Sequence, residues 1–139
     1  MQWVLVLALA FDLAAAKSER NLEKRSDLAL KNASQALDAA REAYGQGKIG
    51  DAQSKLEEVG ESVDLSYQSL KDSGKDPRRS PKYFKRAEMK TRELLRHLDE
   101  FRESMNLADR DPLDRIRAHI SEIHDNLLQG LLTNKKKRK

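Results

Sequence analysis

In four separate stretches of this chain, apolar residues recur at alternating intervals of three and four, which restricts it to helices that pack against one another. The stretches are Leu30, Ala33, Leu37, Ala40, Tyr44; Ile49, Ala52, Leu56, Val59, Val63, Leu70; Phe84, Ala87, Leu94, Leu98, Phe101, Met105; and Leu113, Ile116, Ile120, Ile123, Leu127, Leu131. No strand pattern accompanies them. With 139 residues, 36% of them charged and 5% aromatic, one domain with a modest core is expected.

Punctuation between the stripes sets the helix boundaries. The first helix is expected to start between Ser18 and Leu22 and to end near Tyr44, where Gly45 and Gly47 supply permissive backbone. The second begins at Ile49 or Asp51 and stops at Asp72, Ser73 and Gly74. Gly60 inside it costs about 1 kcal/mol relative to Ala and marks either a close helix contact or nothing. Ser80 can cap the third helix, with Pro81 at the first helical position, and Asp111 and Pro112 repeat that device for the fourth.

Short turns force each consecutive pair to lie antiparallel. Similar lengths and short loops predict an all-α, up-down-up-down antiparallel four-helix bundle made of two helical hairpins, over residues 17–134. The alternative is an extended pair of hairpins that dimerises to complete its core. Ala33, Ala36, Ala40 and Ala43 give helix one a thin apolar face, because burying Ala contributes far less than the roughly 1.5 to 3 kcal/mol of a large aliphatic side chain.

The hairpin from Ala39 to Val59, with Ala40, Tyr44, Gly47, Ala52 and Leu56, resembles one tetratricopeptide repeat unit. The resemblance implies a second unit about 34 residues later. Arg86 and Lys90 stand where Ala52 and Leu56 would recur, and the helices are too long for that repeat, so the match is general helical-hairpin grammar.

Residues 1–16 read as a signal peptide, with an apolar run from Trp3 to Ala10 and small residues at Ala14 and Ala16. No Lys or Arg precedes the run, and Asp12 interrupts its end. Cleavage near Ala16 is expected, giving an exported chain, periplasmic or secreted, that starts at Lys17. The chain contains no cysteine, which excludes disulfides, thiolate metal sites and a Cys nucleophile.

Catalytic, cofactor and metal residues are not expected. His119 and His124 are five apart, whereas ligands sharing a helix face need three or four. A buried grouping of His97, His119 and Glu122 would reopen the question; solvated histidines beside carboxylates are expected instead. Adjacent carboxylates such as Glu57 and Glu58, or Asp99 and Glu100, point in different directions on a helix. Asn32, Ala33 and Ser34 form a glycosylation sequon, but within a predicted helix, where chance explains it.

Charge becomes informative once the up-down order is applied, since the start of helix one, the loop between helices two and three, and the C-terminus then share one end. Lys17 to Lys31 holds five basic and three acidic residues, Asp64 to Arg92 nine and four, and Arg115 to Lys139 seven and two, so that end nets +12. At the opposite end, Asp38 to Glu61 and Arg96 to Asp114 each hold three basic and six acidic residues, for −6.

Cations at Lys82, Lys85 and Arg86 oppose the macrodipole at a helix start, where stability alone would place acids. Lys75, Arg78, Arg79, Lys82, Lys85 and Arg86, with the tail Lys135, Lys136, Lys137, Arg138 and Lys139, are therefore the expected anion- or partner-binding residues. The expected partner is an anionic membrane surface or envelope polymer. A protein partner or homodimer, bound through an apolar helix face, is the alternative. Specific nucleic-acid readers add aromatic stacking or a recognition helix, and only Tyr83 and Phe84 neighbour the basic loop, so that partner is disfavoured.

Overall fold

The computed structural model describes residues 13–132, and every regular element among them is helical. A short helical segment over 13–18 precedes α1 (Leu22–Gly45), α2 (Ile49–Asp72), α3 (Pro81–Glu103) and α4 (Asp111–Leu132), with a single 3-10 turn at Leu107–Asp109 between the last two. Most of the expected signal peptide and the whole basic tail lie outside the described residues; of the leader's end, Ala16 is buried.

Each helix end has an identifiable cause. Asn21 caps α1 by accepting a 3.0 Å hydrogen bond from the Lys24 amide. At the other end, Gly47 adopts φ +80°, the Lys48 amide donates to the Ala43 carbonyl and the Gly47 amide to Tyr44, which closes a Schellman motif. Gly74, at φ +70°, turns the chain away after α2.

Two expected caps are corrected. Ser80 makes no side-chain capping bond, because its ψ of 68° falls short of the extended conformation that aims a cap oxygen at the first turn. Asp76 organises that loop instead: its carbonyl accepts from the Arg79 and Ser80 amides and its carboxylate from the Arg78 amide. Asp111 is the first helical residue rather than the cap, since the Arg110 carbonyl already accepts the first α4 bond from Asp114.

α1 lies antiparallel along α2, with Ser26 bonded to Ser66 and Asn32 to Ser62. α3 lies antiparallel along α4, where Arg102 meets Asp114 and Arg117 meets Asp99. The hairpins join side by side: α1 runs parallel to α3, from Asp27–Arg86 to Tyr44–Phe101, and α2 runs parallel to α4, from Gly60–Ile116 to Asp64–His119. A Cβ on Gly60 would sit 3.2 Å from Ile116 Cδ1, so this glycine does mark a close helix contact.

Members of all four stripes fill the centre, among them Leu37, Leu56, Leu98, Phe101 and Ile120. Of the expected alanine face of α1, Ala33, Ala36 and Ala40 are each at 0% exposure, as is Ala29, while Ala43 is only partly buried. Small polar side chains interleave with these alanines along α1 and α2. Ser26 and Ser66 share a 2.7 Å bond, while the Asn32 amide donates to Ser62 at 2.9 Å and Glu58 at 2.8 Å. That commitment buries the sequon asparagine, as a chance occurrence allows.

Candidate functional site

Two contacts bring the start of α1, the α2–α3 loop and the end of α4 to one end of the molecule. The Lys75 ammonium, in the α2–α3 loop, donates to Glu23 at the start of α1 across 3.1 Å. Pro77 from the same loop approaches Gly130 near the end of α4, where an added Cβ would meet its ring at 3.3 Å. At the opposite end, the Tyr44 hydroxyl donates to Asp109 and accepts from the Asn106 amide, which joins the end of α1 to the α3–α4 connection.

The predicted cations differ in their freedom. Arg86 is bonded to Asp27 at 2.6 Å and, like Lys82, stands 5.4 Å from the Tyr83 ring centroid. Lys75 and Arg86 thus hold loop and helix together as well as contributing charge. Arg78, Arg79, Lys82 and Lys85 are exposed, and among the described residues no carboxylate lies within ion-pair distance of Arg79, Lys82 or Lys85. Lys135 to Lys139 lie outside the described residues and follow Leu132 by a few positions.

The axial charge difference is smaller than the sequence implied. Arg117 donates to both carboxylate oxygens of Asp99, at 2.6 and 3.1 Å, and so belongs with the acidic half; Arg115 lies still nearer the start of α4. Assigning both to that half lowers the basic end and raises the acidic end by two charges each, and the polarity keeps its sign.

Sequence reasoning missed an apolar groove at the basic end. Pro77 and Pro81, Met89 on α3, and Leu128, Leu131 and Leu132 on α4 line it, with Arg78, Lys85 and Arg92 at its edges. Met89 is 59% exposed and Leu132 63%. The spacing of Lys82, Lys85, Met89 and Arg92 on one side of α3 was the available signal, masked because Met89 is a lone apolar residue among charges.

Glu88 also lines the groove, and it belongs to a group that the sequence did not reveal. Arg92 donates to both of its oxygens, at 2.9 and 3.0 Å, and His124 Nε2 lies 2.8 Å from one of them. The Arg92 bond holds the carboxyl below its ordinary value of 4.5, against the upward push of burial, with His124 adding to the lowering. His124 is thus a largely buried side chain rather than a solvated one.

The other histidines sit outside. His119 pairs with Asp64 at 2.5 Å and His97 with Glu100 at 3.5 Å, so His97, His119 and Glu122 do not assemble into one site. Among the described residues there is no grouping of three or more His, Asp or Glu side chains that could hold a metal ion. No protein-family model matches the chain, and no curated protein does.

Proposed function

We propose that this chain is a non-enzymatic, exported binding module, a four-helix bundle whose basic end contacts an anionic surface. The observation that carries the reading is the gathering of α1's start, the α2–α3 loop and α4's end through Lys75–Glu23 and Pro77–Gly130. Arg78, Arg79, Lys82 and Lys85 are exposed there, and α4 ends there at Leu132, three positions before the basic run Lys135 to Lys139 begins in the sequence. That Ala29, Ala33, Ala36 and Ala40 are already covered within the chain supports reading the basic end, rather than the alanine face of α1, as the interaction surface.

Export enters through the leader, with cleavage near Ala16. The Asn21 cap lies beyond that point, so a chain starting at Lys17 keeps the first bond of α1. Intact mass of the chain recovered from an exporting host tests this half of the proposal: a species beginning at Lys17 supports it, and retention of residues 1–16 contradicts it.

For the binding half, chromatography on immobilised heparin compares the wild-type chain with R78E/R79E lacking residues 135–139. The wild type elutes at higher salt, since each lost cation–anion contact removes counterion release. Equal elution contradicts a role for this end.

A further inference from the structure

We infer that the anionic surface is a lipid bilayer, and that Met89, Leu128 and Leu132 enter its headgroup region while the surrounding cations meet lipid phosphates. This rests on the basic-end reading and names its partner. Met89 and Leu132 protrude, at 59% and 63% exposure, rather than lining a closed hollow, and Leu128 joins them in the same groove. Isolated exposed apolar residues need no explanation, but here helix α3 and the end of α4 bring several together inside a cationic rim.

Three cations and one carboxylate line the groove, a net charge of +2. Arg78, Lys85 and Arg92 border the groove, and its one carboxylate, Glu88, is bonded to Arg92 and His124. Beyond Leu132 the chain runs through Thr133 and Asn134 into five consecutive basic residues. Apolar side chains inside a cationic rim match the two layers of a bilayer surface, where acyl chains lie below anionic headgroups. A linear polyanion such as heparin or nucleic acid satisfies the cations and offers nothing to Met89 or Leu132. Tyr83, at the start of α3, already faces Lys82 and Arg86. Among the described residues no helix is long and apolar enough to cross a membrane, and the contact proposed is a surface one.

Because the chain has no cysteine, M89C, L132C and, at the far end, D51C each give one site for an environment-sensitive fluorophore. The full-length variants are mixed with phosphatidylcholine vesicles with and without phosphatidylglycerol. The inference predicts a blue shift and brightening at M89C and L132C on the phosphatidylglycerol vesicles, and none at D51C. In parallel, M89S/L132S binds those vesicles about tenfold more weakly than wild type and keeps its heparin affinity.

If M89C and L132C are unmoved on vesicle-bound protein, or M89S/L132S binds as wild type does, insertion is overturned while the basic end stands. Heparin binding without vesicle binding likewise overturns the lipid assignment alone. A wild-type chain that ignores both overturns both readings. Positions 89 and 132 are exposed, so these variants fold, and thermal melting of each confirms it.

Discussion

Lys75 and Glu23, 52 positions apart in the chain, meet at 3.1 Å and fix the α2–α3 loop over the start of α1. The pair is part of what makes the basic end a single surface, and it also withdraws one cation from solvent. Its ammonium is about half exposed, so the bond contributes at most about 1 kcal/mol to stability. E23Q should therefore melt close to wild type while binding immobilised heparin more tightly, because Lys75 is released toward the ligand. Weaker heparin binding by E23Q would mean that the pair's positioning of the loop matters more than the freed charge.

Glu88 links acid stability to the α3–α4 seam. Its carboxyl titrates below the ordinary 4.5 in the folded chain, chiefly through the Arg92 bond, so its stabilising contribution is present above that value. The contribution disappears as pH falls through the depressed folded value. E88Q should be less stable than wild type near neutrality, and the gap should close in acid. Denaturant melts of the two proteins at neutral and acid pH measure this; a gap that stays constant with pH assigns the cost to packing instead.

Gly60 and Ile116 set the spacing of α2 and α4. A Cβ at position 60 would stand 3.2 Å from Ile116 Cδ1 but 3.9 Å from Cγ2. I116V removes the nearer atom. G60A in the I116V background should then recover the helix-propensity gain of about 1 kcal/mol, and G60A in the wild-type background less. A double-mutant cycle by chemical denaturation reads the difference, and additive effects would show that Ile116 gives way without cost.

Much of the fold was legible because helix signals are local. The stripe residues Leu30, Leu56, Leu98 and Ile120 are all buried, and Gly47 and Pro81 stand at helix ends as expected. What escaped depends on which helices touch. Ser26, Asn32 and Ser66 look like surface residues until α1 and α2 pack together, and Glu88 and His124 become partners only when α3 and α4 align. Met89 is a lone apolar residue among the charges of its helix side, so the groove it shares with Leu132 emerges only when α3 and α4 are placed together. Arg117 belongs with the acidic half because its pairing with Asp99 fixes its position along the axis, and a division between Asp114 and Arg115 falls too near the start of α4.

The central claim is that placement of charge, rather than its total, governs binding. Two full-length variants with the same net change test it: R79E/K82E at the basic end and R41E/K48E at the far end, all four positions exposed. Their dissociation constants for phosphatidylglycerol-containing vesicles are measured at one salt concentration beside wild type. About tenfold or greater weakening is expected for R79E/K82E, and near wild-type affinity for R41E/K48E. Equal weakening in both would show that overall charge alone is sensed, and would contradict the assignment of the basic end as the interface.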